Sequence, residues 1–474
     1  MVGDLEPMEL KKHFLAATAL TASALLAMPA TAADPLKLGI GGYYTFYTVA
    51  GAQSSVYATD GTSTSYRSLY FTQEGEIHFL GQTLLDNGTT VGLNVELEGW
   101  NPGTNATNSQ IDEAFIFAFG DWGRIELGSR DAGSFRMYYG APSALIGFGP
   151  IQGQFGVGAR SGTSPGLYLG YNKAFYHTTT VTNTGAWQDV NRINVFTPRI
   201  QGLQIGVGYA PKVAIPQPPF LGSTGLSSGP GGIAGICGYG GPTNISNCPS
   251  NDYSWSDAFD IGMNYLQTFG DLSVAVYGSW AFASFSPGFN SLSTAASQVT
   301  GSNLGTWVMW AAGLQFGYKG VTVGGSIGYD NQGMGANYYT GQDNATRFAS
   351  AGIMYETGSW QVSFMWAGAI NNNGNGSNSI QSIAPGTQVP TLNGSGGAAG
   401  TFSGVPGVNS TVFSGPFALA FGAETANKFE FGANYALGPG VKITGGALFI
   451  NQAGPTNAVT GNAWALLLGM DLRF

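Results

Sequence analysis

The chain has 474 residues, of which 9% are charged and 13% aromatic, with 75 glycines and a formal net charge of −9. Soluble domains carry about 25% charged residues, so this sequence has too little charge for an ordinary wet surface. A pI near 4.8 and the lack of a basic stripe to track phosphates exclude nucleic acid as a partner. In chain order, Lys11 and Lys12 precede the run HFLAATALTASALLAMPATAA, which closes on Ala30-Thr31-Ala32. Charge, apolar centre and small-residue cleavage site are the pattern of a secretory signal. Residues 1–32 are therefore expected to be a signal peptide and 33–474 the mature unit, with Met8 as an alternative start and an N-terminal anchor as the other reading. A bilayer-spanning helix needs about 20 apolar residues, and no later run is that long. No linker or composition shift divides the mature unit.

Residues 76–99, EIHFLGQTLLDNGTTVGLNVELEG, alternate on both sides of a turn. Glu76, His78 and Gln82 share one face and Ile77 and Phe79 the other; Asn94, Glu96 and Glu98 then oppose Leu93, Val95 and Leu97. Both polar rows share a face only if the turn Asp86-Asn87-Gly88 holds three residues, with Gly88 left-handed in a G1 bulge. His78 then falls across from Glu96, and Glu76 across from Glu98, where like charges directly opposed are destabilising.

About sixteen such segments succeed one another along the chain, an even number as expected of transmembrane barrels. Tight turns lie at 86–88, 120–122, 198–201, 269–271, 319–320, 357–359 and 438–440. Between them come long polar or Gly-rich connections, at 49–65, 101–109, 130–189, 213–254, 285–303, 331–345, 371–426 and 452–461. GLYLGYNKAFYH at 166–177 and PFALAFGAE at 416–424 read as extra strands or as parts of long loops. One end with short turns and one with long loops is the plan of a transmembrane barrel. The apolar rows Phe259, Ile261, Met263, Tyr265 and Trp464, Leu466, Leu468, Met470, Leu472, Phe474 are expected to face lipid, as are Phe429, Phe431, Ala433 and Tyr435. Lys428, Glu430, Asn434, Lys442, Thr444, Asp471 and Arg473 then face inward, since a lipid-facing Arg or Lys at mid-depth costs about 2 to 4 kcal/mol. The fold class is all-β: a transmembrane antiparallel β-barrel of about sixteen strands.

Cys237 and Cys248 sit in a segment rich in Gly, Pro, Ser and Asn. In an oxidising compartment such a pair would close a small loop, contributing about 3 kcal/mol. A free, buried or metal-binding pair is the alternative, although no histidine lies nearby to complete a zinc site. Gly162-Thr163-Ser164-Pro165-Gly166 matches a nucleophile-elbow pattern, but that motif needs a strand-to-helix turn. Past the signal only His78 and His177 could serve as a base. No phosphate-binding fingerprint occurs. Trp307, Trp310, Trp360, Trp366 and Trp464 read as interface girdle before sugar-binding rails. The stretch 371–410 reads as a solvated outer loop.

Four segments together resemble Gram-negative general porins, particularly alphaproteobacterial forms: the hairpin at 76–99, IDEAFIFAFGDWGRIELGSRDAG at 111–133, NRINVFTPRIQGLQIGVGYAP at 191–211, and the last strand ending in Arg473-Phe474. The resemblance covers nearly the whole mature chain. It implies a homotrimeric outer-membrane channel that lets small hydrophilic solutes and ions diffuse passively, with no enzymatic activity and no cofactor. The alternatives are a sugar-preferring porin, or a barrel with an adhesion or hydrolase role. The implied surroundings are outer-membrane lipid and lipopolysaccharide, with the β-barrel assembly machinery reading the C-terminal aromatic, Phe474. The third long loop would fold into the barrel, begin after GRIELGS, and carry Arg130, Asp131, Arg136 and Arg160.

Many general porins set an acidic loop against a basic wall, whereas here the arginines are on the loop and the acids on the wall. By parity Glu74, Glu76, Glu96, Glu98, Asp112 and Glu126 point inward, alongside Arg124, Arg192 and His78. The facing pair Glu76 and Glu98 calls for Arg130, Arg136 or Arg160 to reach over from the loop. A metal cation, or solvation of the pair by channel water, is the alternative.

Overall fold

The computed structural model describes residues 35–53, 68–99, 111–150, 190–213, 253–287, 306–331, 346–371, 424–453 and 461–474. The signal segment, Arg160, His177, Cys237, Cys248, the 162–166 motif and the ambiguous stretches 166–177 and 416–423 lie outside them. The strands are β1 (Lys37–Gln53), β2 (Leu69–Leu84), β3 (Thr90–Glu98), β4 (Ile111–Gly120), β5 (Gly123–Arg130), β6 (Val190–Phe196), β7 (Leu203–Lys212) and β8 (Tyr253–Phe269). They continue as β9 (Leu272–Pro287), β10 (Trp307–Tyr318), β11 (Val321–Asp330), β12 (Thr346–Thr357), β13 (Trp360–Asn371), β14 (Glu424–Gly438), β15 (Val441–Ala453) and β16 (Gly461–Arg473). Each pairs antiparallel with its sequence neighbours, and β1 pairs with β16 to close the barrel. Closure leaves no strand edge, which a sheet in hydrocarbon requires because an unpaired N–H or C=O there has no water to bond. Among the described residues no helix is long and apolar enough to cross a membrane.

The two rows of the last strand separate as alternation predicts. Leu466 and Leu468 are 53% and 65% exposed on the outside, while Ala463, Ala465 and Leu467 are 5% exposed or less. Glu430, Asn434, Thr444 and Asp471 are buried on the inside. Trp310, Trp360 and Trp464 are exposed outward. Trp307 is different: it is buried, and its Nε1 donates to Asp330 Oδ1 at 2.6 Å.

The first hairpin has the expected turn. Gly88 sits at φ 80°, Leu85 N donates to Thr89 O at 2.8 Å, and Gly88 N to Leu85 O at 2.9 Å. Glu76 faces Glu98, and His78 faces Glu96. Several strands outrun the sequence-based limits: β1 continues to Gln53 and β9 to Pro287, well into segments read as loops. Ladder hydrogen bonds continue past the apolar band, where Gly, Ala and Ser give alternation no contrast.

On β4 simple parity fails. The register shifts between Val95 and Leu97, so that Val95 faces Ala114 while Leu97 faces Ile111. Asp112 and Glu113 thus both oppose Glu96 in a β-bulge. Beyond it the buried inner row is Glu113, Phe115 and Phe117, and Ile116 is turned outward.

Candidate functional site: a loop-lined eyelet

After β5 the chain turns into the barrel as a short helix, α1 (Gly133–Arg136), and continues along the inner wall to residue 150. Its seating can be traced strand by strand. Gly133 N and Ser134 N donate to Asn194 Oδ1 on β6 and Asp260 Oδ1 on β8, at 3.3 and 2.9 Å. Tyr277 of β9 donates to Ser134 O at 3.0 Å, and Gln315 of β10 to Gly140 O at 2.7 Å. The hydroxyls of Ser326 on β11, Ser350 on β12 and Ser363 on β13 meet Tyr138 Oη, Ala141 N and Ala144 N. Asn434 on β14 holds Ala144 O at 2.7 Å, Thr444 on β15 accepts from Ile146 N at 3.4 Å, and Tyr47 on β1 donates to Ile146 O at 2.8 Å. Burial pushes the Tyr138 phenol above its usual range, so it stays neutral.

Two features of the sequence make room for this path. Inner-row glycines let the loop lie flat: a side chain at Gly313 would run into Tyr139 O, and one at Gly432 would stand 2.5 Å from Leu145 N. A buried latch then fixes the far end. Ser143 Oγ and Gly149 N both donate to the Glu430 carboxylate, and Lys428 Nζ donates to Gly149 O.

The loop's anchors thus run from β6 round to β1, and the acids lie on the remaining sector, on β2, β3 and β4. Glu76 and Glu96 are mostly buried, Glu74 is half-buried, and Glu98 is exposed. Asp112 lies within electrostatic reach of Glu76, Glu96, Glu98 and Asp131. Tyr43 Oη donates to Glu76 Oε1 at 2.7 Å, and His78 Nε2 lies 2.8 Å from Glu76 Oε2. Asn94 Nδ2 donates to Glu96 Oε1 at 2.5 Å.

Of the loop arginines, Arg130 and Arg136 bind other acids of the wall, and Arg160 lies outside the described residues. Arg130 pairs with Glu113 and lies 3.2 Å from Glu96 Oε1, with its guanidinium 4.4 Å over the Phe115 ring. Arg136 pairs with Glu126. Arg124 Nε donates to the other oxygen of Glu126 at 2.6 Å and lies 4.7 Å over Phe117. Arg192 is buried against Asp260 at 3.3 Å. Asp131 N donates to Glu113 Oε1 at 2.8 Å. Glu113, the two phenylalanines, Asp260 and the Lys428–Glu430 latch are absent from the sequence-based site. The β4 bulge moved the first three to the inner face, and the adjacent acids Asp112 and Glu113 break alternation there, which is a visible signal for it.

A closed barrel of sixteen strands, an inward loop held by wall side chains and a charged gap beside it together define a channel-forming outer-membrane barrel. A model of the Gram-negative porin family matches residues 16–455, and the chain belongs to that family. It is an outer-membrane porin through which small hydrophilic solutes and ions diffuse passively. Among solved structures, Salmonella typhi OmpF aligns at 13% identity with a TM-score of 0.51, covering 93% of this chain and 98% of its own. An anion-selective porin from Comamonas acidovorans aligns at 12% identity and TM-score 0.48, covering 93% and 100%. The OmpF likeness is one of fold. Among curated proteins none matches the sequence.

Proposed function

We propose that the acids of β2, β3 and β4, facing loop 131–149, form the eyelet of a cation-preferring diffusion pore. The observation that carries this is the charge balance on that sector. Glu74, Glu76, Glu96, Glu98, Asp112 and Glu113 gather on one wall, and among the described residues Arg130 is engaged by two of them. Arg124 and Arg136 share the single carboxylate of Glu126, which limits their field at the gap. Selection here is exclusion by the loop and electrostatics in a confined aqueous path, with no chemical step. Arg160 completes the loop's cationic set in this reading, and Cys237 and Cys248 close a disulfide loop. The mature chain starts after residue 32 and assembles as a homotrimer in lipid and lipopolysaccharide. Phe474, whose N and O bond Gly42 O and N at 3.1 and 3.0 Å, is read by the assembly machinery.

The test is single-channel recording of refolded protein in a planar bilayer under a salt gradient. A reversal potential of cation-selective sign is expected, moving toward zero in the Glu74→Gln/Glu98→Gln double variant. An anion-selective sign would mean that the loop arginines dominate.

A further inference from the structure

We propose that Glu76, His78 and Glu96 form a binding site for a divalent first-row transition cation of the zinc type on the eyelet wall. One donor atom from each lies within 4.8 Å of the other two. Donors held about 2.0–2.2 Å from one ion stand roughly 3.5 Å apart, so a small rotation of one carboxylate completes the set. The strand pairing places the three together: Glu76 and His78 are two residues apart on the inner row of β2, and Glu96 faces His78 across the ladder.

The surroundings are those of a supported ligand set. Glu76 has Oε1 fixed by Tyr43 and Oε2 turned to His78. Glu96 has Oε1 fixed by Asn94 and Arg130, which sets the orientation of its other oxygen. Partners of this kind orient ligands and tune affinity. An imidazole nitrogen with two carboxylate oxygens suits zinc and its neighbours, whereas calcium and magnesium favour oxygen alone. Three protein ligands leave a further position for lumen water, so the ion can exchange. Glu98, directly opposite Glu76, adds negative charge that draws a cation in. That such an ion lies on the permeation path rests on the proposed channel function; its coordination does not.

The experiment pairs zinc titration of the single-channel current with calorimetric zinc binding to the refolded full chain. Expected are saturable binding and a saturable fall in conductance with zinc, with calcium much weaker. Both should weaken by about tenfold or more in His78→Ala, and likewise in Glu96→Gln, as losing a ligand should cost at least as much as losing its supporting partner. His78→Gln keeps polar bulk should the alanine variant fail to fold. Glu74→Gln, a neutralised acid on the same wall, should stay within about threefold, the size of one charge acting through water. Equal losses in all variants, equal effects of calcium and zinc, or no saturable binding would overturn the site. A barrel that is silent without zinc yet binds it saturably supports the site and overturns the channel reading.

Discussion

Arg130 meets Glu113, Glu96 and the face of Phe115 at once. Removing it would leave two mostly buried carboxylates facing each other without a cation. Breaking a buried pair from one side costs about 3 to 5 kcal/mol, and the nearby lumen water places this case at the lower end. Arg130→Ala should therefore lower the barrel's unfolding midpoint in denaturant and raise cation preference together. Arg130→Lys should recover only part of the stability, because an ammonium neither forks between two acids nor lies flat on a ring. A variant as stable as the parent would show that water already solvates the acids. How legible such contacts were differs from residue to residue. The facing of His78 and Glu96 came from a three-residue turn, since only one turn length puts both polar rows on one face. The partners of Arg130 did not, because the β4 bulge shifts register by one residue between Val95 and Leu97, and which strand absorbs an extra residue depends on its neighbours.

The loop is a separate element whose position rests on small residues, and two glycines separate conformation from space. Gly88 has a left-handed φ and open space around it, so Gly88→Ala should cost about 1 kcal/mol of stability and leave conductance unchanged. Gly313 has Tyr139 O against it, so Gly313→Val should push the loop off the wall and change conductance with a smaller effect on the strands. The latch makes a related case. Glu430→Ala removes the acceptor for both Ser143 and Gly149 and leaves Lys428 buried without its carboxylate. Frequent current fluctuations and a wider range of open levels are expected in single-channel records. A steady current would place the loop's hold elsewhere, in the Ser326, Ser350 and Ser363 contacts. The entry of this loop was legible after GRIELGS, but its route was not: residues 137–149 are mostly small or aromatic with no period, and their order comes from hydroxyls and glycines on the strands from β10 round to β1.

At the scale of the whole barrel the sequence was most informative, because hydrocarbon punishes any break in the outward row while water in the lumen tolerates many side chains. Leu466, Leu468 and Met470 could be assigned outward from their spacing alone, and the alternation of tight turns with long connections carried the strand number. Charge selectivity is also a property of this scale, since it sums over every lumen side chain within a screening length. That length is about 10 Å at 0.1 M salt and about 3 Å at 1 M. At low salt the acids of β2, β3 and β4 act together across the gap, whereas at high salt each acts only on an ion nearly in contact with it. The cation preference should therefore shrink markedly between 0.1 M and 1 M, and reversal potentials at the same gradient ratio check this. A preference that survives at 1 M would mean that ions touch the wall as they pass, and it would then depend on Glu76 and Glu96 more than on the exposed Glu98.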